Sequence, residues 1–248
     1  MAPEPVKLML TGDWHRNTGW ALSMIEHADQ AGVDTILQLG DFGFWPEDDG
    51  TDDYVASLST QLQQSGMRLF WLDGNHENHD AIDAGLTNNR GPVEYLPRGF
   101  RWRWWGKDWM SVGGGVSVDK EWRRPGVDWF DREMLSPDEF EICCRPGNVD
   151  VIVSHDCPAG VVIPGFHAEE KQGITPSLFP PEAIAESEAH RALLAAICES
   201  TTPAYVFHGH YHSTHMGELG SGIQVFGLGK DGSSVADNTL ILAEADLS

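Results

Sequence analysis

A chain of 248 residues, 41% hydrophobic and 22% charged, has a globular composition and enough length to bury a sizeable core. Its formal charge of −22 weighs against broad binding to nucleic acid or anionic membranes through the general surface, although bound cations can reverse the sign of a local site. No apolar run reaches the ~20 residues of a bilayer crossing, no signal-peptide pattern opens the sequence, and Cys143, Cys144, Cys157 and Cys198 have neither zinc-finger nor disulfide spacing, so a cytoplasmic setting is expected.

Val6 to Leu10 reads as a buried strand running into T-G-D-W-H. Thr18 to Ala31 carries Trp20, Ile25 and Ala28 on one face before Gly32, which predicts a helix. Thr35 to Leu39 is the next strand and ends on G-D-F-G. An acidic loop from Trp45 to Asp53 follows; it lacks the full EF-hand pattern and reads as solvated. A helix over Asp53 to Ser65, closed by Gly66, leads into Arg68 to Glu77, R-L-F-W-L-D-G-N-H-E. That stretch is a short apolar strand and a tight turn presenting Asn75, His76 and Glu77. The strand–helix–strand–helix–strand order implies parallel pairing through right-handed crossovers.

Beyond a short helix near Ala81, Tyr95 to Val118 is rich in Trp, Arg and Val, with turn signals at Gly106 and Gly113–Gly115, so β-hairpins are expected. Trp102, Trp104, Trp105 and Trp109 interleave with Arg98, Arg101, Arg103 and Lys107. A base-stacking platform would use such residues. The alternation is better read as one buried and one wet strand face, with Arg stems covering apolar surface. Ser136-Pro137-Asp138-Glu139 is a helix start with its capping pair. Val149 to Val153 is a strand ending on S-H-D-C-P, and Pro158 to Pro181 is a long loop near it. Pro181 to Cys198 reads as a helix and Tyr205 to Phe207 as a strand ending on H-G-H-Y-H. Ile223 to Leu228 and Thr239 to Ala243 are the last strands, and one domain over 1–248 is expected.

Five strands thus end on ligand-type side chains: Asp13 with His15, Asp41, Asn75 with His76, His155, and His210 with His212. In an open α/β sheet, ligands gather outside the carboxyl ends of strands, so five such ends in one sheet would meet in one crevice. Two divalent ions about 3.5–4 Å apart are held by a shared carboxylate, and Asp41, alone at its strand end, is the natural bridge. Imidazole, carboxylate and one amide oxygen, without thiolate, suit Mn²⁺, Fe or Zn²⁺, and Mn²⁺ is the ion expected. Two such ions outweigh the charges of Asp13 and Asp41, leaving a site of the right sign for a phosphate ester. His208 is either an outer partner of a ligand or a partly buried strand-end residue. His79 is expected to be exposed on a helix, His27, His167, His190 and His215 at the surface, and Cys157 to be structural.

The blocks G-D-W-H, G-D-F-G, G-N-H-E, S-H-D and G-H-Y-H resemble, in order and strand context, those of calcineurin-like metallophosphoesterases from about Gly12 to His212. The resemblance implies an α/β fold, a four-layer α/β/β/α sandwich of two mixed β-sheets flanked by helices, with the metal site at the C-terminal ends of the strands. It implies that Asp13, His15, Asp41 and His212 hold one ion, that Asp41, Asn75, His155 and His210 hold the other, and that His76 is free to act on substrate. Gly113–Gly115, Asp119 and Arg123 resemble a segment of some small bacterial and phage members. The second block continues G-D-x-x-D-R-G in protein serine/threonine phosphatases but reads G-D-F-G-F-W here. That departure turns the expectation to small phosphodiesters or nucleotides, including 2′,3′- and 3′,5′-cyclic nucleotides. The expected reaction is hydrolysis by a hydroxide bridging two divalent ions, with His76 protonating the leaving alkoxide. A phosphomonoesterase, a nuclease and a non-catalytic scaffold are the alternatives; all eight site residues being present weighs against the scaffold.

Overall fold

A computed structural model of the chain describes residues 3–46, 51–87, 91–166, 179–220 and 222–247. The acidic segment 47–50, and most of the loop expected between Pro158 and Pro181, His167 included, lie outside the described residues. In chain order the elements are β1 (Leu8–Thr11), α1 (Thr18–Gln30), β2 (Thr35–Gln38), α2 (Thr51–Ser65), β3 (Arg68–Trp71), α3 (His79–Asp83), β4 (Val93–Tyr95), β5 (Arg101–Trp104) and β6 (Lys107–Val112). Then come α4 (Pro137–Cys143), β7 (Val151–Ser154), α5 (Pro181–Thr201), β8 (Tyr205–His208), β9 (His215–Leu219), β10 (Ile223–Gly227), α6 (Val235–Asn238) and β11 (Thr239–Leu242). No helix among the described residues is long and apolar enough to cross a membrane, and none of the four cysteines forms a disulfide.

The strands form two mixed sheets, ordered β11-β1-β2-β3-β4 and β5-β6-β7-β8-β10-β9. In the first, β1 to β4 run parallel and β11 antiparallel; in the second, β6, β7, β8 and β10 run parallel between antiparallel edges β5 and β9. Period-two alternation sets the layers. Leu8, Leu10, Leu37, Phe70, Trp104, Val151, Val153 and Phe207 point into the space between the sheets. Their neighbours Met9, Ile36, Leu69 and Trp71 face outward onto Met24, Ile25, Leu58 and Leu62 of α1 and α2. On the far side Met110, Ile152, Val206 and Val225 meet Leu194 and Ile197 of α5. Strands covered on both faces explain why their sequences read as nearly continuous apolar runs.

Capping fixes where the helices begin. Asn17 accepts a hydrogen bond from Trp20 N (3.1 Å) at the start of α1, and Ser136 and Glu139 form the reciprocal capping box of α4. Two expectations need correction. The five ligand-bearing ends do not belong to one sheet: β1 to β3 lie in the first and β7 and β8 in the second, so their loops converge from facing layers at one edge. Periodicity showed burial on both faces but not which strands pair. Within Tyr95 to Val118 only β5 and β6 form a hairpin; Tyr95 ends β4, parallel to β3, and Gly114 N donates to Asp73 O (2.8 Å) beneath the site. The Trp alternation falls as read, with Trp102 and Trp104 buried and Arg103 exposed, but Arg98 is buried rather than on a wet face.

Candidate metal centre

The loops after β1, β2, β3, β7 and β8 meet at one edge of the sandwich and bring their polar ends together. Asp13, His15, Asp41 and His212 each offer a ligand atom within 4.8 Å of the others. Asp41 is buried at the centre. Its Oδ2 lies 3.4 Å from His15 Nε2 and 3.9 Å from His76 Nε2, while its Oδ1 lies 3.4 Å from His155 Nε2. Asn75 Oδ1 is 3.0 Å from the same His155 nitrogen, and the His210 ring packs on His155 with centroids 4.8 Å apart. Asp13 Oδ2 lies 3.1 Å from His212 Nε2. The structure therefore gathers the other seven expected site residues around Asp41.

Local backbone geometry explains the sequence blocks. His15, Asp41, His210 and His212 have φ of 45°, 53°, 70° and 55°, a left-handed conformation that costs a non-glycine residue about 1–2 kcal/mol. Strain of this type persists where surrounding structure over-determines it, as at functional sites. The glycine of G-N-H is needed for approach: a Cβ on Gly74 would overlap both Asp41 Oδ1 and the His155 ring. A Cβ on Gly209 would likewise overlap Asp13 Oδ1.

The donor set fits divalent ions. His155 Nδ1 faces Leu39 O at 2.8 Å and must donate to it, so a neutral ring turns its Nε2 lone pair toward Asn75 Oδ1 and Asp41 Oδ1. Two oxygens facing a lone pair require a proton or a cation between them. Burial opposes charging His155, but Asp41 and Asp13 hold its pKa above the ordinary value. Burial likewise opposes charging His15, yet Asp41, Asp13 and Asp231 push its pKa up to about 10. Both carboxyls resist burial and stay acidic, Asp41 through His155, His76 and His15, and Asp13 through His212 and His155. The buried Asp13 Oδ2 has no hydrogen-bond donor aligned to it. Acidic carboxyls enclosed with imidazole lone pairs are the donor chemistry that a divalent cation satisfies.

Several supporting residues carried no assigned role in the sequence. Asp231 Oδ1 accepts from His15 Nδ1 (2.8 Å) and its Oδ2 from Asn17 Nδ2 (2.8 Å), turning His15 Nε2 toward Asp41. Asn75 Nδ2 donates to Ser117 Oγ (2.9 Å), which donates to Glu133 Oε2 (2.6 Å), so Asn75 Oδ1 is left facing inward. Buried Glu77 accepts from Gly43 N (2.7 Å) and Gly74 N, tying two site loops together. Beneath them Arg98 donates through Nε (2.9 Å) and Nη2 (2.7 Å) to Asp73 Oδ2, and reaches the carbonyls of Met134, Arg132 and Glu133.

His76 stands at the edge of the centre, half-exposed, with Trp45 Nε1 donating to its carbonyl (2.7 Å). Arg123 Nη1 and Nη2 lie 3.1 and 2.9 Å from its Nδ1 and Nε2. One guanidinium can reach both ring nitrogens only by lying across the ring face. Arg123 is itself held by Asp119 at 2.9 Å. Beside them opens a cavity of about 770 Å³, lined by Arg16, Trp45, Arg123, Arg124 and Phe130 among others.

Four histidines sit differently from expectation or resolve an open one. His79 is buried near Asp73 (3.9 Å), and burial pushes its pKa down to about 4. His190 is buried and its Nδ1 bonds Asp156 Oδ2 at 2.7 Å. His215 is buried against His208, which is wholly enclosed. An isolated histidine has no period to reveal its burial. Cys157 is buried, and desolvation pushes its thiol pKa up.

The sequence profile of the calcineurin-like phosphoesterases matches residues 6–214. This chain belongs to the calcineurin-like phosphoesterase family. As a calcineurin-like phosphoesterase it is a metal-dependent phosphoester hydrolase, of a family that uses a dinuclear divalent metal centre. No curated protein matches the sequence. Among solved structures, TT1561 of Thermus thermophilus is 12% identical with a TM-score of 0.52, covering 97% of this chain and 99% of its own. A dimetal phosphatase from Danio rerio is 13% identical with a TM-score of 0.47, covering 92% and 88%. At such identity the likeness to TT1561 is one of fold, the two-sheet phosphoesterase sandwich described above.

Proposed function

We propose that this phosphoesterase hydrolyses small phosphodiesters, 2′,3′- or 3′,5′-cyclic nucleotides foremost, with two Mn²⁺ ions (Fe or Zn²⁺ as alternatives). In this reading Asp13, His15, Asp41 and His212 hold one ion, Asp41, Asn75, His155 and His210 hold the other, and His76 is the catalytic acid. The observation that carries the diesterase reading is the cavity against His76. A diester is substituted on two phosphoryl oxygens, and this cavity gives the second substituent a place between Trp45, Phe130 and the arginines. The −22 charge favours small substrates over extended nucleic acid, and four cysteines outside disulfides suit a cytoplasmic setting.

Bound ions would lower the pKa of water from 15.7 towards ~7 and draw charge from the phosphoryl oxygens. The chain's own residues do the rest. Asp41, Asp13 and their histidines stay fixed by the loop contacts described above, so no reorganisation is needed when charge develops. Arg123 lies against His76 and meets a phosphoryl oxygen or the leaving oxygen from the cavity side. Burial lowers the His76 pKa, Asp41 opposes this, and Arg123 lowers it further. Phosphate charge brought by the substrate would favour the protonated ring that the acid role needs, and general acid help of this type is typically worth ~10²–10⁴ in rate.

The test is a side-by-side assay with Mn²⁺ of bis(p-nitrophenyl) phosphate, p-nitrophenyl phosphate, both classes of cyclic nucleotide and single-stranded DNA. Preference for a cyclic nucleotide or the simple diester is expected. Strong monoester preference overturns the diesterase reading, and two bound ions with no turnover would leave the scaffold.

A further inference from the structure

On the outer face of the second sheet, β8, β10 and β9 lie side by side and place two histidines in line. Gly227 of β10 pairs with His208 of β8 on one side and with His215 of β9 on the other. Side chains in that register share a face, and two strands of spacing would set them about 9–10 Å apart. The glycine removes the barrier between them. A Cβ at 227 would overlap the His215 ring, which instead leans across the backbone until its centroid is 5.0 Å from that of His208.

Cys157, in the loop after β7, closes the third side. One ligand atom from each of Cys157, His208 and His215 lies within 4.8 Å of the others. Cys157 and His208 are fully enclosed and His215 is 9% exposed. The two rings are oriented alike: His208 Nδ1 faces Gly209 O and His215 Nδ1 faces Ser213 O, each at 2.9 Å. Since a carbonyl only accepts, both Nδ1 atoms carry hydrogen and both Nε2 atoms carry lone pairs. Metal-binding histidines are fixed in this way by their outer partners. His208 Nε2 is buried with no hydrogen-bond partner. Packing alone has no need for such an orphan beside a thiol.

We propose that Cys157, His208 and His215 form a separate site for one thiophilic ion of the zinc class. Two imidazoles and a thiolate select such ions over Mg²⁺, Ca²⁺ or Mn²⁺. Binding forms one sulfur–metal and two nitrogen–metal bonds, and the Cys157 thiol gives one proton to solvent. Zinc holds such donors at about 2.0–2.3 Å, so binding would draw the three ligand atoms inward from their present separations. Such an ion would pin the edge strand β9 and the loop after β7 to β8, whose end leads into the H-G-H-Y-H turn. This site is independent of the proposed diesterase activity.

Co²⁺ is the probe, because sulfur bonded to it gives a near-ultraviolet charge-transfer band that nitrogen and oxygen ligands do not. The Asp/His centre contains no sulfur. Metal-free full-length chain titrated with Co²⁺ is expected to develop that band to the extent of one ion per chain. Cys157→Ser and, separately, His215→Asn are expected to lose it while keeping the visible cobalt bands of the other centre and activity with Mn²⁺. Wild-type protein decides even where a variant fails to fold: no charge-transfer band at saturating Co²⁺ overturns the site. A band that survives in folded Cys157→Ser overturns it as well.

Discussion

Replacing Asp231 by Asn separates the orientation of a ligand from the ligand itself. Asp231 accepts the His15 Nδ1 hydrogen at 2.8 Å and is four-fifths buried, so this bond is charge-assisted and poorly screened. Asn presents an amide of the same size, and the main-chain hydrogen bond from residue 231 N to Asp13 O (2.8 Å) is untouched. Loss of an outer partner of a metal-bound histidine typically weakens metal affinity or activity 10- to 100-fold, equivalent to about 1.4–2.7 kcal/mol. Titration of the metal-free protein with Mn²⁺, followed calorimetrically, should show that loss in one of two binding steps. The other step, governed by His155 and His210, should change little. Thermal stability of the metal-free chain should fall by about 1.5–3 kcal/mol at most, the range for a hydrogen bond to a charged group, since an amide oxygen can still accept from His15. Unchanged affinity in both steps would refute the idea that Asp231 holds His15 for a metal.

His76→Ala should retain two metal ions by elemental analysis and lose ~10²–10⁴ in turnover; loss of metal instead would make His76 a ligand. Arg123→Ala should lower kcat/KM on diesters at unchanged metal content, with Arg123→Lys restoring little because a lysine cannot lie flat across the His76 ring. Because the His15 pKa is pushed up to about 10, metal binding at neutral pH should release a proton from that ring, and affinity should rise up to about tenfold per pH unit below 10. Calorimetry in buffers of different ionisation enthalpy measures that proton. In the metal-free chain the sign is opposite: the raised pKa stabilises the fold fully below about 6.5, and the contribution fades as pH rises towards 10. Arg98→Ala leaves the buried Asp73 carboxylate without its cation and should cost about 3–5 kcal/mol in denaturant unfolding.

What the sequence made legible was local. Strand ends, the Asn17 and Ser136 helix starts and the order of the blocks all leave short-range patterns. The division into two sheets left none, because a strand buried on both faces reads the same whichever neighbour it takes. Supporting contacts were hidden for a related reason. Asp231 and His15 are separated by 216 positions, and Glu133 and Ser117 by 16, with no periodic signal joining them. The burial of His79 and His190 leaves no local signal because it depends on Asp73 and Asp156, partners contributed by other elements. Arg98 has the same local composition as the arginines of β5, and only the chain path toward Asp73 separates it from them.

In the proposed centre the single carboxylate of Asp41 is shared between two ions. Elemental analysis of the Mn²⁺-reconstituted chain, with Asp41→Asn alongside, tests that sharing most directly. Two ions per wild-type chain, and at most one in a variant that still folds, is the result expected. A wild type that saturates with one ion, or an Asp41→Asn variant that keeps two with unaltered affinity, would contradict it.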